Sequence, residues 1–271
     1  MLQIAALLSL LWITTALPDS LPGEVEWMLD DALYEQPLAL SLPSVSAPHD
    51  LARALRYYHD GEYRPAAEIL EKIRQLHLPD GDLDLVCLAL AECNRQLGLH
   101  ALAVRDYRVV ADRFPHGDKA APSLFRLLQH AYERRDTAEA LRHFEALLGA
   151  YPSHPLVHSA RYVMGKLHFR RGDYARALEM LSPIPPRSSR RLQARFLMAL
   201  CRVKREEWDD ALVILDRVRR RVSPPVPLGS ETAITLGDIY LKQGTAETAL
   251  RYYDLVQASA ARNEYASVRK A

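Results

Sequence analysis

Apolar residues recur along most of the chain at spacings of three and four, which places them on one face of an α-helix. Leu124, Leu127, Leu128 and Ala131 show the pattern in one short stretch. Strict alternation of apolar and polar residues, which would indicate a half-buried strand, is not the dominant pattern. The sequence therefore predicts a series of helices, each with one buried face.

These helical segments belong to an internal repeat. The stretch RRGDYARALEML (170–181) matches HDGEYRPAAEIL (59–70), and six copies align at steps of 37, 37, 37, 34 and 38 residues. Each copy has a turn position, a small residue five positions later, a large residue four positions after that and, in five copies, a closing proline. The turn positions are Gly61, Gly98, Arg135, Gly172, Glu206 and Gly244; the small residues are Ala66, Ala103, Ala140, Ala177, Ala211 and Ala249; the large residues are Leu70, Tyr107, Phe144, Leu181, Leu215 and Tyr253; and the prolines are Pro79, Pro115, Pro152, Pro185 and Pro224.

Each position of the repeat has a physical role in a pair of helices. Glycine just past the first helix permits a left-handed backbone without a side-chain clash. The alanine lets the second helix approach the first closely, and the large residue fills the groove on the same face. Proline ends the second helix, because it cannot donate the helical hydrogen bond. One such pair leaves an apolar face uncovered, so neighbouring pairs must stack on it.

This pattern resembles the tetratricopeptide repeat over residues 47–260. The resemblance rests on the Gly-x4-Ala-x3-large pattern, the closing proline and a small residue before the turn. It implies an all-α fold, a right-handed α-solenoid of about six helix-turn-helix units. The chain departs from the family at Arg135 and Glu206, which replace glycine, and at Leu128, which replaces the small residue. Its steps of 37 also exceed the usual length of about 34 residues. The small residues before the turn are Ala54, Ala91, Gly165, Ala199 and Gly237.

The N-terminal residues differ from the repeats. The apolar run 4–16 is too short to span a bilayer, which needs about 20 residues, and its length is typical of a secretory signal. We therefore expect a signal peptide at 1–16 and a periplasmic or otherwise exported protein, although no basic residue precedes the run. The alternative is a cytoplasmic protein in which the run forms a buried capping helix. Neither interpretation predicts an integral membrane span.

The remaining segments are an arm and a tail. Residues 17–46 contain four prolines and several acidic residues, which predicts an acidic arm with a short helix in EVEWMLDDALY (24–34). Residues 261–271 are interpreted as a C-terminal tail.

Charge is distributed unevenly along the chain. The net charge of +1 argues against generic nucleic-acid binding. Residues 1–52 contain no lysine or arginine, whereas 187–221 contain eleven basic and five acidic residues. Such a run usually forms a solvated face. The alternative hypothesis is that the acidic arm shields Arg190, Arg191 and Arg195.

No constellation of residues suggests catalysis. His154 and His158 have a metal-binding spacing, but Pro155 lies between them and no carboxylate completes the zinc motif. The sequence has no glycine-rich phosphate loop, no CxxC motif and no GxSxG nucleophile motif. We therefore expect no catalytic residue, cofactor or metal, and a protein that is not an enzyme. The spacing of the three cysteines predicts buried thiols and no disulfide; they are Cys87, Cys93 and Cys201.

The resemblance implies that the first helix of each unit lines a concave face that binds a protein or peptide partner. Aromatic and basic side chains anchor peptides, although some of them could instead pack between repeats. The stretches at 113–128 and 151–165 resemble the joints of exported bacterial envelope proteins of this type. The expected function is a non-catalytic scaffold in the bacterial cell envelope. The alternative is an accessory or regulatory module of a polysaccharide, cell-wall or secretion system. The candidate contact residues are Tyr58, Arg95, Phe125, Tyr132, Tyr162, Lys166, Phe169, Arg170, Phe196 and Lys204.

Overall fold

The computed structural model of the chain describes residues 38, 40, 49–76 and 78–268. The predicted signal peptide lies outside the described residues, as does the short helix predicted at 24–34. Of the predicted arm, only Leu38 and Leu40 are described, and both lie outside helices and strands.

The described residues form twelve α-helices and no strand. In chain order they make six pairs, and each pair corresponds to one repeat of the sequence. The prediction of an all-α solenoid of six units is therefore confirmed. The helices are α1 (His49–His59), α2 (Tyr63–Arg74), α3 (Asp80–Gln96), α4 (His100–Arg113), α5 (Ala120–Glu133), α6 (Thr137–Ala150), α7 (Leu156–Arg170), α8 (Tyr174–Leu181), α9 (Arg191–Lys204), α10 (Trp208–Arg219), α11 (Pro227–Lys242) and α12 (Ala246–Val268). No helix within the described ranges is both long and apolar enough to cross a membrane.

The pairs stack in sequence order. Each first helix packs on its own second helix, and each second helix packs on the first helix of the next unit. First helices also contact one another directly: α1 packs on α3, α5 on α7, α7 on α9 and α9 on α11. Side-chain hydrogen bonds between Glu92 and Arg126 join α3 to α5. We call these six helices, α1, α3, α5, α7, α9 and α11, the first-helix layer.

All six turn positions adopt the left-handed backbone that the sequence predicted. The four glycines have φ between 74° and 78°. Arg135 and Glu206, which replace glycine, have φ of 58° and 60° and are the described non-glycine residues with positive φ. The turn geometry is therefore the same in every unit, and two units adopt it in spite of a side chain.

Replacing Gly172 with alanine should cost about 1 kcal/mol of stability, because an L-residue in the left-handed region is strained. A Cβ at this site would meet no atom within 4 Å, so the cost is purely conformational. Gly149 is the matched control, since it lies in α6 with equal space around it and no positive φ. Gly149→Ala should instead stabilise by about 0.5 kcal/mol. Urea unfolding checks both values, and equal effects of the two substitutions would contradict this account of the turn.

Small residues of the repeat lie where the two helices of a pair approach closely. The six alanines at the small position of the second helix are all at most 2% exposed. A Cβ added to Gly165 would lie 2.6 Å from Leu181, and one added to Gly237 would lie 2.5 Å from Tyr253. The small residue of the first helix therefore leaves room for the large residue of the second.

Two elements differ in length from the other repeats. α8 has only 8 residues, because Pro183 and Pro185 follow directly and proline cannot continue a helix. α12 has 23 residues and runs to Val268, past the boundary predicted at residue 260. Its first part packs as the sixth second helix, and residues 261–268 of the predicted tail continue the same helix.

Candidate functional site

All ten candidate contact residues lie in the first-helix layer, but most of them are buried. Seven are at most 5% exposed and therefore pack inside the protein. The sequence had left packing between repeats open as an alternative for some of these residues. Arg95, Arg170 and Lys204 are half-buried and retain atoms that a partner could contact. The seven buried residues are Tyr58, Phe125, Tyr132, Tyr162, Lys166, Phe169 and Phe196.

Glu92 of α3 is the centre of a buried polar cluster. The side chain is fully buried, and Arg126 of α5 donates to both of its carboxylate oxygens, from Nε at 2.8 Å and from Nη2 at 3.1 Å. Arg95 Nη2 donates at 3.2 Å, and the hydroxyl of Tyr107 also donates to the carboxylate. Arg126 Nη1 continues the network to Gln129 at 3.1 Å. We call these five residues the glutamate cluster.

The glutamate cluster joins the second and third units. Glu92 occupies the register position six residues before the turn. The first and fifth units have Leu55 and Leu200 there, and the third, fourth and sixth have Gln129, Lys166 and Asp238. The position is therefore polar or charged in four of the six units. The ion pair with Arg126 spans 34 residues of sequence, so periodicity alone could not reveal it. The signal in the sequence was a register position on the first helix that is polar in most units.

The cluster shifts the pKa values of its members. Burial by itself would raise the pKa of Glu92, but Arg126, Arg95 and the Tyr107 hydroxyl together lower it below its usual value. Burial raises the pKa of Tyr107 and of Tyr58, and the negative charge of Glu92 adds to both shifts. The carboxylate is therefore ionised at neutral pH and both hydroxyls remain hydrogen-bond donors.

A second group combines cations with aromatic rings. Lys166 of α7 is fully buried, with Nζ 5.2 Å from the ring centre of Tyr132 and 5.6 Å from that of Tyr162. The guanidinium of Arg170 lies 4.5 Å from the Tyr132 centre. Such contacts stabilise a cation away from water by about 2 kcal/mol when they are desolvated. The ring of Tyr132 thus contacts two cationic side chains of the next unit, Lys166 and Arg170. Arg170 is half-buried and reaches the surface.

A cavity of about 440 Å³ lies between α3, α4 and α5, beside the glutamate cluster. Arg95 and Arg126 contribute to its wall, and the rings of His100 and His130 stack there at 6.4 Å. Burial, with further contributions from Arg134 and His100, lowers the pKa of His130, so this ring is neutral at pH 7. Arg95 and Arg126 place two guanidinium groups in the wall of this cavity.

The main chain of Leu38 contacts the first-helix layer at the same place. The amide of Leu38 donates to Glu92 Oε2 at 3.2 Å, and the hydroxyl of Tyr58 donates to the Leu38 carbonyl at 2.8 Å. Leu40 is 9% exposed and belongs to the core of the first two units, against which Leu38 also packs. Two residues of the arm are thus bound to α1 and α3.

The basic region, residues 187–221, is partly neutralised by acidic residues within the same range. Arg219 and Arg220 both pair with Asp216, at 2.8 and 2.7 Å, and Arg202 and Arg205 both pair with Glu207. This agrees with the interpretation of a solvated face. The hypothesis that the acidic arm shields Arg190, Arg191 and Arg195 stays a prediction, since residues 19–35 lie outside the described part of the chain.

The three cysteines are buried, as predicted, with exposures of 0 to 3%. Burial raises the pKa of Cys87 to about 11 and that of Cys93 and Cys201 to about 12, so the thiols are protonated at neutral pH. Within the described residues no group of three or more His, Cys, Asp or Glu side chains is placed to hold a metal ion. His154 instead accepts a hydrogen bond from the Leu156 amide at the entry to α7, at 3.2 Å.

The family described as anaphase-promoting complex, cyclosome, subunit 3 matches residues 133–218, which is less than half of the chain. A search of curated proteins finds no match.

Solved structures with a similar fold cover most of the chain. The chain is similar to PilW, described as a widely conserved type IV pilus biogenesis factor, with 20% identity and a TM-score of 0.59 over 78% of this chain and 94% of PilW. It is similar to Pseudomonas aeruginosa PilF, with 17% identity and a TM-score of 0.59 over 85% and 90% of the two chains. It is also similar to MamA, with 15% identity and a TM-score of 0.55 over 70% and 99%. At these identities the similarity shows the fold.

Proposed function

We propose that this tetratricopeptide-repeat solenoid is a non-catalytic scaffold that binds a peptide segment of another protein on its first-helix layer. The main support is that the amide and carbonyl of Leu38 form hydrogen bonds with Glu92 and Tyr58. Side chains of two units here bind the amide and carbonyl of a non-helical segment, which is the contact a peptide ligand requires. Repeat proteins present extended surfaces of this kind for partner binding.

The first-helix layer offers further contacts beyond this point. Arg95 faces the cavity beside the glutamate cluster, and Arg170 and Lys204 are half-buried farther along the layer. Arginine is enriched among the residues that dominate binding energy at interfaces. A bound segment that runs along the layer would contact these three cations in turn.

We place this function in the bacterial cell envelope. The apolar run at 4–16 has the length of a secretory signal, and PilW, to which the chain is similar, is described as a type IV pilus biogenesis factor. The same similarity supports the second candidate, an accessory or regulatory module of a polysaccharide, cell-wall or secretion system. Both candidates require a protein partner and differ in the pathway that the partner serves.

Partner capture from envelope fractions should depend on the first-helix layer. The double substitution Arg170→Ser with Lys204→Ser removes two half-buried cations of that layer and should weaken capture by the tagged full chain about tenfold. The matched control is Arg176→Ser with Arg217→Ser, which removes the same charge from exposed sites on the second helices α8 and α10. It should leave capture unchanged. Loss of capture with the control pair alone would contradict the proposed binding surface.

A further inference from the structure

Leu38 is held through its main chain by two different repeats. Tyr58 of α1 donates to the Leu38 carbonyl at 2.8 Å, and Glu92 of α3 accepts from the Leu38 amide at 3.2 Å. The hydrogen bond to Glu92 is charge-assisted, and such bonds are stronger than neutral ones. Because both hydrogen bonds are made to main-chain atoms, any residue other than proline can form them at this position.

The neighbouring side chains select apolar residues. Leu40 lies in the apolar core of the first two units, and Leu38 packs against that core. The sequence PLALSLP (37–43) places leucine at every second residue, which an extended backbone directs to one side. Prolines on both sides of these leucines disfavour a helix. The sequence is therefore suited to lie extended against the layer.

The contact comes from a segment that lies outside the repeats. Leu38 and Leu40 precede the first repeat and lie outside helices and strands. Glu92 is already bound by Arg126, Arg95 and Tyr107, so its carboxylate keeps these partners if the Leu38 amide leaves. Of the contacts described at Leu38, only the Tyr58 hydroxyl loses its acceptor.

We propose that the segment around Leu38 and Leu40 is an intramolecular ligand of the first-helix layer, and that the partner is an extended segment with apolar residues at alternate positions. This inference rests on the proposed function and names the partner's chemistry. The partner segment displaces the arm and takes over the contacts with Tyr58 and Glu92. Only eight residues connect Leu40 to α1, so the tethered segment has an effective concentration in the millimolar range. A partner must therefore add contacts beyond those of the arm.

The first experiment measures amide hydrogen exchange in the intact chain. We expect the peptide that contains residues 38–40 to exchange at least about tenfold more slowly than an unstructured segment. Tyr58→Phe removes only the hydroxyl that binds the Leu38 carbonyl and should speed this exchange about fivefold. The matched control is Tyr151→Phe, since the Tyr151 hydroxyl donates to the Pro115 carbonyl at 2.6 Å, away from the arm. It should leave the exchange of residues 38–40 unchanged.

The second experiment supplies the segment in trans. A labelled peptide with the sequence of residues 34–44, YEQPLALSLPS, is titrated into the full chain and into the full-length double variant Leu38→Ser, Leu40→Ser. The variant releases its own segment, so we expect it to bind the peptide at least about tenfold more tightly than the unaltered chain. Adding Tyr58→Phe to the variant should weaken binding about fivefold. A peptide with serine in place of both leucines serves as the negative control.

The outcomes separate this inference from the function on which it rests. Equal peptide affinity for the unaltered chain and the double variant, or unprotected amides at residues 38–40, would overturn the intramolecular ligand. If the peptide fails to bind while partner capture still depends on Arg170 and Lys204, this inference is wrong and the proposed function stands. If the peptide binds but capture ignores both residues, the proposed partner surface is wrong. Should the double variant unfold, the exchange measurements on Tyr58→Phe and Tyr151→Phe decide the question.

Discussion

Glu92→Ala should lower the free energy of unfolding by about 3–5 kcal/mol, because the substitution leaves Arg126 buried without its carboxylate partner. Arg126 is 4% exposed and its two hydrogen bonds to Glu92 join α3 to α5. The same substitution removes the acceptor of the Tyr107 hydroxyl. Chemical denaturation of the full chain gives the value, and a loss below about 1 kcal/mol, the range of an exposed pair, would contradict the assigned role of the cluster.

Glu247→Ala is the control for an ion pair in water. Glu247 pairs with Arg251 at 2.9 Å, and the two side chains are 85% and 74% exposed. Such pairs contribute less than about 0.5 kcal/mol, because water and salt screen them. The difference between the two losses in unfolding free energy distinguishes the effect of a buried ion pair from that of an exposed one.

The same cluster should make stability depend on pH. The pKa of Glu92 in the folded protein is below its ordinary value of 4.5. A lowered folded pKa means that the carboxylate stabilises the fold above the unfolded pKa and loses this effect as pH falls through the folded pKa. Stability should therefore fall as pH drops below about 4.5, and Glu92→Gln should show a shallower fall over the same range.

Ala177→Leu should lower the stability by about 1–3 kcal/mol through overpacking. Ala177 is fully buried in α8, and α8 already lies so close to α7 that a Cβ on Gly165 would reach Leu181. Leucine and alanine both favour helices, so the change in helix propensity is small.

Ala175→Leu provides the matched control, since Ala175 is exposed and lies two residues earlier in the same helix. It should change the stability by less than about 0.5 kcal/mol. Thermal or urea unfolding distinguishes the two variants. Equal losses at both positions would show that Ala177 does not lie at a close helix crossing.

The sequence predicted the architecture well because each structural requirement is repeated in every unit. The same three features recur in register: a left-handed turn, a small residue at the helix crossing and a proline that ends the second helix. The structure of a copy that departs at one position can therefore be inferred from the other copies. Arg135 and Glu206 illustrate this, since both adopt the glycine conformation that the neighbouring repeats imply. The length of α8 and the extension of α12 were not predicted, because they depend on single copies of the repeat.

The site was less predictable. Periodicity places Phe125, Tyr162 and Phe196 on the right helices, but it does not tell a side chain that faces a partner from one that packs against the next helix. All three are buried. The pairing of Glu92 with Arg126 and the binding of Leu38 depend on contacts between distant parts of the chain, which no local pattern encodes. The available signal was that the register position of Glu92 is polar or charged in four of the six units.

Photocrosslinking in cells that produce the protein would show which helices contact the partner. A photoreactive amino acid replaces Arg170 or Lys204 in the first-helix layer and, in separate full-length variants, Arg176 or Arg217 on the second helices. If the first-helix layer binds the partner, positions 170 and 204 form an adduct with one protein and positions 176 and 217 do not. Adducts formed with that partner from positions 176 and 217 alone would contradict the account.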